Sequence, residues 1–276
     1  MRSLVLPDRT ASGTAAQAAE RLQRLGLALI VPLLLLLMWT VAARHGWMPP
    51  QILPAPDVVW ATIVDLWQSG DLLSNAAISL QRVVEGFALG ATCGFALGLA
   101  MGLSPDVEAF VRPLFTAVSQ VPALGWIPLL MLMVGIGEPL KIIVIARAAG
   151  VPVALNTLAG VHAVPSQLVE VGQIFRFGRL QMLRHVVLPA AVPPMFTGIR
   201  YGLTHAWTAL VAVELLASSE GLGYLLVWGQ QMFQLDEVIA AMAAIGLIGY
   251  VMDYGLARIE AHLQRWRPVS VQAGAV

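Results

Sequence analysis

Apolar residues in this chain gather into long blocks and do not alternate with polar ones. Six blocks stand out, at about 25–43, 83–103, 114–134, 140–158, 194–217 and 238–256. Each is close to the roughly 20 helical residues that cross the ~30 Å hydrocarbon core of a bilayer. One long polar interval has a different rhythm. From 168 to 189 the chain reads LVEVGQIFRFGRLQMLRHVVLP. Leu168, Val171 and Phe175 recur at helical spacing, as do Leu180, Leu183 and Val187. Glu170, Arg176, Arg179, Arg184 and His185 fill the other positions. This pattern predicts two short amphipathic helices lying along a surface, bent near Gly178 and closed by Pro189. Ser166 is the expected N-cap, with Glu170 in the first turn.

The remaining intervals are shorter. Residues 46–56 are too rich in proline for regular helix. Residues 57–81 read as an amphipathic helix broken at Ser69-Gly70-Asp71, and 104–113 and 218–237 read as loops. Within the blocks, Gly86, Gly90, Gly94, Gly98 and Gly102 hold a strict i, i+4 register. They form a ridge without side chains, where a second helix can approach closely. Pro122 and Pro128 predict a broken third span.

Composition agrees with the blocks. The chain of 276 residues is 58% hydrophobic and 12% charged, with a mean hydropathy of +0.77. The expected class is an all-α, polytopic membrane protein with six transmembrane helices. The zero net charge gives no sign of a nucleic-acid partner. Cys93, the single cysteine, cannot form an internal disulfide or a cysteine-based metal cluster. Six spans put both termini on one side. That side would carry Arg2, Arg9, Arg21, Arg24, Arg112, Arg176, Arg179, Arg184, Arg258, Arg265 and Arg267, against Arg44, Arg82 and Lys141 opposite. The positive-inside rule then makes the termini and the 168–189 stretch cytoplasmic. The expected organisation is a tail at 1–24, a membrane domain at 25–259 holding a loop at 160–189, and a tail at 260–276.

No nucleotide-binding glycine loop, metal-ligand spacing or nucleophile elbow is present, so no catalytic residue and no metal site is assigned. The five histidines are scattered singly. Arg147, Arg200 and Glu214 fall inside apolar blocks, where each is costly unless paired or wetted. Two readings stand for Arg147 and Glu214: a polar path for a small anion, or an Arg147–Glu214 pair that fixes helix packing. Arg200 lies near enough to the cytoplasmic end to snorkel. Gln120, Trp126, Asn156, His205 and Trp207 are weaker candidates for the path.

At this point the chain resembles the permeases of ABC importers. Glu170 to Pro189 is similar to their cytoplasmic EAA loop, with Glu170 and the closing Val187-Leu188-Pro189 at the family's separation. QVPALGWIPLLMLMVGIGEPLKIIVI and PAAVPPMFTGIRYGLTHAWTALVAVELLASSEGLGYLL resemble spans of the nitrate/sulfonate/taurine branch. Val171 and Gly172 replace the two alanines of the motif, and Arg176 stands where a glycine is usual. The bend is therefore expected two residues later, at Gly178.

The resemblance implies a type I importer permease fold in the bacterial inner membrane. Its coupling helix would dock in a groove of a separate ATPase through Glu170, Val171, Gly172, Phe175, Arg176, Phe177, Gly178, Arg179 and Pro189. It implies a second permease copy, an ATPase dimer that binds ATP and Mg, a substrate-binding protein, and no cofactor on this chain. The solute is expected to be a sulfonate, taurine or nitrate, with a heterocyclic compound as the alternative. An ion-coupled secondary transporter would need several deep carboxylates, and Glu214 is the one expected. A membrane-embedded enzyme would need a catalytic constellation.

Overall fold

A computed structural model describes residues 11–263, with side chains from 26 onward except Ala28. The tail arginines at 2, 9, 265 and 267, and the side chains of Arg21 and Arg24, lie outside what is described. The described residues fall into two units, divided after Ala61. In the first, α1 runs Ala11–Arg44 with Pro32 inside it. Its described apolar part, Leu29–Arg44, is shorter than a bilayer requires. A proline-rich turn follows, tied back by the Trp39 indole, which donates to the Pro54 carbonyl at 3.0 Å.

Helix α2, Pro56–Ser69, leads across the division into the second unit. Gly70, in the left-handed region at φ 84°, separates it from α3, Asp71–Leu103. The break expected at 69–71 is therefore present. The polar stretch after it does not stop at 81, and it continues without interruption into the second apolar block.

The core of the second unit is α3 against α6 (Glu138–His162), with α9 (Leu188–Ala217) on the other face of α6. The glycine ridge of α3 faces α6. A Cβ at Gly90, Gly94 or Gly98 would collide with the carbonyl oxygen of Ala146, Gly150 or Ala154. At Gly86 and Gly102 it would lie 2.6 Å from Ile145 and 2.7 Å from Val161. Two helices thus meet backbone to backbone, where dispersion contacts replace a hydrophobic drive that lipid cannot supply. Ile145, Ala149, Ala206 and Leu210 close the core around Val83.

Several elements differ from expectation. Residues 104–113 are not a loop: α4 begins at Pro105 and runs to Ser119. Ser104 caps it by accepting from the Val107 N–H, Pro105 occupies the first turn, and Asp106 and Glu108 complement the helix dipole. The third block is not one straight helix. After Pro122 it continues as a 3-10 turn, Ala123–Trp126, and α5, Ile127–Val134, bent 90° from α4.

Residues 218–237 are not a loop either, since α10 spans Leu222–Gln231 at 42° to α9. Its buried first N–H groups, which have no partner within the helix, are taken up by side chains from outside it. Gly221, Leu222 and Gly223 donate to Asn75, Ser79 and Glu214, respectively. Helix α11, Leu235–Leu263, packs on α10 and α9.

Among the described residues, three helices (α3, α6, α11) are long and apolar enough to cross a membrane, and up to five spans result if each bent pair counts as one. Pro122 bends the third expected span, the 42° break after Ala217 lies beyond the end of the fifth, and the first lies in α1.

Candidate functional site

The amphipathic stretch folds as α7, Ser166–Ile174, then a four-residue connection and α8, Arg179–Met182. Ser166 is not the cap: Pro165 holds that position and Ser166 is already helical, with no side-chain cap bond. The bend falls at Arg176, not at Gly178. Arg176 has φ 54° and donates its N–H to the Gln173 carbonyl, while Phe177 N–H reaches back to the Gly172 carbonyl at 3.0 Å. This pair of bonds is a Schellman ending, which places one left-handed residue just past the helix. That residue is usually glycine, and here an arginine occupies it. Gly178 is extended at φ −67° and starts α8, its N–H donating to Gln181 Oε1 at 3.0 Å.

Pro189 does not close the run. The chain widens to a π-turn at Leu183–Val187 and passes into α9 with Pro189 in its first turn. A proline ring clashes with the carbonyl four residues back, and wider bonding before it relieves that clash.

Gly172 is buried, and a Cβ there would meet Met182 Cε at 2.7 Å, so α7 folds down onto the end of α8. Leu168, Val171, Phe175, Phe177 and Pro189 line an apolar groove of about 560 Å³. Phe175 is 70% exposed, and the Phe177 ring makes tilted contacts with Phe175 and His185 at centroid distances of 6.2 and 6.1 Å. Glu170, Arg176 and Arg179 are exposed and form no ion pair among the described residues.

A second charged region joins the ends of three helices. Arg82, a 4% exposed side chain, bonds Glu138 with two nitrogens at 2.8 and 2.6 Å. Its third nitrogen bonds Glu214 at 2.8 Å, the Ser218 hydroxyl, and the Glu220 carbonyl. Glu214 is fully buried and also accepts from Ser79 and from Gly223 N–H at 2.9 Å. Lys141 completes the group with Glu138 at 2.8 Å. Two cations face two carboxylates, and all are hydrogen-bonded. The expected Arg147–Glu214 pair does not form, because Arg82, one turn before the glycine ridge, takes that carboxylate. The sequence reading gave Arg82 no role. Its signal was that Ser79 and Arg82 lie one turn apart, leading into the ridge. Arg200 holds Asp253 through two bonds at 2.8 Å, with Glu260 at 3.6 Å. Asp253 is thus a paired carboxylate within the sixth apolar block.

Arg147 has different surroundings. It sits nine residues into α6, about 13 Å of helix from its start. It forms no ion pair among the described residues. One amino group donates to the Val118 and Val121 carbonyls at the broken end of α4, and its carbon lies 4.9 Å above the Trp126 ring. Arg147 Nε and Trp126 Nε1 are buried without a hydrogen-bond partner. Arg147, His205, Thr208 and Ser119 line a cavity of about 340 Å³ that has no acidic residue in its wall.

The structure thus brings Trp126, Arg147 and His205 together. Gln120 caps α4 and is exposed. Asn156 donates to the Pro152 carbonyl of its own helix at 2.9 Å, and Trp207 packs in the core against Gly249 of α11.

Residues 90–267 match the family described as the inner membrane component of binding-protein-dependent transport systems. The protein of Bacillus subtilis (strain 168) named as an aliphatic sulfonates transport permease, SsuC, is 34% identical over 239 residues, covering 87% of each chain. The taurine transport system permease TauC of Escherichia coli (strain K12) is 34% identical over 84% of this chain and 86% of its own. The bicarbonate transport system permease CmpB of Synechococcus elongatus is 33% identical over 68% of this chain and 66% of its own. Among solved structures, the MetNI methionine ABC transporter matches with TM-score 0.56 at 18% identity, over 67% of this chain and 95% of that one. An amino acid ABC transporter matches with TM-score 0.58 at 14% identity, over 74% and 97%. The chain therefore belongs to the binding-protein-dependent transport family as a membrane permease subunit of an ABC importer.

Proposed function

We propose that this permease carries a small organic or inorganic anion across the bacterial inner membrane, past Arg147. The observation that carries this reading is a cation inside a spanning helix, with no carboxylate partner among the described residues, on the wall of a cavity that has no acidic lining. An unneutralised charge at that depth is costly. A passing anion offsets the cost, and a cation or neutral solute does not. The names of the relatives, which include sulfonate, taurine and bicarbonate permeases, support the same class of solute. Trp126, His205 and Thr208 join Arg147 in this path. Gln120, Asn156 and Trp207 are left out, and Glu214 belongs to the ion cluster.

Energy comes from outside the chain. The exposed face of α7, with Glu170, Phe175 and Arg176, docks in the groove of an ATPase that binds ATP and Mg. Phe175 and Phe177 are the apolar anchors, and the arginines meet carboxylates or carbonyl oxygens at the rim. Two ATPase grooves call for two copies of α7, hence a homodimer, and a binding protein delivers solute at the opposite face. Both termini and the 166–187 loop face the cytoplasm, with the membrane domain at 25–259 between the tails.

The test is uptake of labelled taurine, methanesulfonate and bicarbonate by cells that co-express the chain with its ATPase and binding protein. The Arg147→Gln variant is expected to lose at least tenfold in rate with unchanged membrane level. Wild-type kinetics in that variant would remove Arg147 from the path. Phe175→Asp is expected to abolish ATPase co-purification, and retained co-purification with normal uptake would remove α7 as the docking element.

A further inference from the structure

Arg147 belongs to a second cavity as well. This is an open chamber of about 480 Å³ between α3, α4, α5 and α6. Leu89, Leu97, Phe115, Leu130 and Ile143 form its walls. Ser119, Arg147 and Val151 line both spaces. A cavity with a few polar residues and no acidic one, and a more apolar chamber, therefore meet at one guanidinium that has no ion pair among the described residues. Each lies within the roughly 300–1,000 Å³ range of small-molecule sites.

We propose that the two cavities form one bipartite site for an organic anion that carries an aliphatic tail. The anionic head sits at Arg147, with the His205 ring and the Thr208 hydroxyl beside it. The tail lies among Leu89, Leu97 and Phe115. The membrane subunit then selects its solute by tail, and does not simply pass whatever is delivered. The proposal rests on the reading that an anion passes Arg147.

The chemistry of the junction is specific. Arg147 Nε and the Trp126 indole N–H are buried donors without acceptors, and both residues border the apolar chamber. An acceptor-only head such as a sulfonate satisfies donors of this kind, whereas an ammonium head does not. The walls of the apolar chamber offer no charge other than Arg147. A tail that leaves water there gains about fourfold in affinity per methylene. An inorganic oxyanion leaves the chamber unused. An anionic phospholipid shares the head and tail chemistry, so the test must separate it from a soluble anion.

Cys93 makes the chamber readable. It is the single cysteine of the chain, it is exposed, and it lines this cavity. The chain, co-purified with its ATPase and placed in nanodiscs of zwitterionic lipid, is treated with a small uncharged maleimide. The labelling rate of Cys93 is followed by mass spectrometry of this chain.

Hexanesulfonate is expected to slow labelling at least fivefold, methanesulfonate far less and nitrate not at all. Arg147→Gln should remove the protection. Equal protection by nitrate and hexanesulfonate, or none by any alkanesulfonate, overturns the bipartite site. Protection by anionic phospholipid that hexanesulfonate cannot add to overturns it in favour of a lipid site. In the parallel uptake assay, an Arg147→Gln variant that keeps transporting short anions overturns the anion path itself. A variant that loses them, while tail length has no effect in the parent protein, overturns only the selection by tail.

Discussion

Arg82 and Arg147 are both arginines inside apolar helices, and the fold treats them in opposite ways. Arg82 is fully engaged: two carboxylates, a hydroxyl and a carbonyl accept from it, and Lys141 balances the second carboxylate. Arg147 has two carbonyl oxygens, an aromatic face and a buried nitrogen with no partner. The first arrangement closes on itself and leaves nothing for a solute to do. The second is incomplete, and it opens onto two cavities. Two arginines of equal cost in a hydropathy profile can therefore serve different ends, and the partner set distinguishes them.

The largest expected effect tests the closed side of this contrast. Arg82→Ala strands the Glu214 carboxylate, which has no exposure to water, and breaking a buried pair from one side costs about 3–5 kcal/mol. The protein should lose most of its monodisperse yield in detergent, and any surviving fraction should melt well below the parent. The double variant Arg82→Met with Glu214→Met should recover part of that loss, since apolar replacement of a whole buried pair is often tolerated. A single variant that melts like the parent would end the view of Arg82 as the tie between α3, α6 and α9.

Next in size is the surface that joins the two regions. Gly90 borders the chamber at Arg147 and also faces the Ala146 carbonyl across the α3–α6 contact. Gly90→Ala forces the helices apart, with an expected loss of about 1–3 kcal/mol in detergent unfolding. Gly246→Ala in α11 is the control, because a Cβ there meets nothing within 4 Å. Equal melting of the two variants would mean that the ridge does not set the helix spacing.

Arg147→Gln should lie on the far side of the contrast. Its loss of stability should be about 1 kcal/mol, the worth of the hydrogen bonds removed. Transport should still fall at least tenfold. A loss of stability as large as that of Arg82→Ala would place both arginines in the same structural class and dissolve the distinction.

Much of this was legible in the sequence, and the reasons are physical. Five glycines at one spacing can only make a bare helix stripe, and the alternation of 168–189 marked the surface helices. What stayed hidden depended on partners distant in the chain. Arg82 reads as a flanking charge until Glu138 and Glu214 are brought to it by α6 and α9. Helix α10 reads as a loop because its first turn is capped by Asn75 and Ser79 of α3, not by its own neighbours. The start of α4 was readable, since Ser104-Pro105-Asp106 is a helix beginning, and the polar composition of 104–113 obscured it. The bend at Arg176 was misplaced because glycine preference is weaker than the hydrogen-bond pattern that ends α7.

The smallest effect expected comes from a third arginine, one that lies outside the two cavities. Arg176 holds φ 54°, a conformation that costs an L-residue about 1–2 kcal/mol and glycine nothing of the kind. Arg176→Gly should therefore raise local stability by roughly 1 kcal/mol, seen as slower hydrogen exchange in residues 166–176. Gly178→Ala should change little, because Gly178 is extended and open, with its nearest contact to an added Cβ at 3.9 Å. The opposite result, in which Gly178→Ala disrupts the loop and Arg176→Gly is neutral, would return the bend to Gly178. Uptake gives the experiment its second reading. If Arg176→Gly tightens the loop yet lowers transport, the guanidinium is kept at a strained position for contact with the ATPase. If transport is unchanged, the arginine only fills the turn, and the docking surface reduces to Glu170, Phe175 and Phe177.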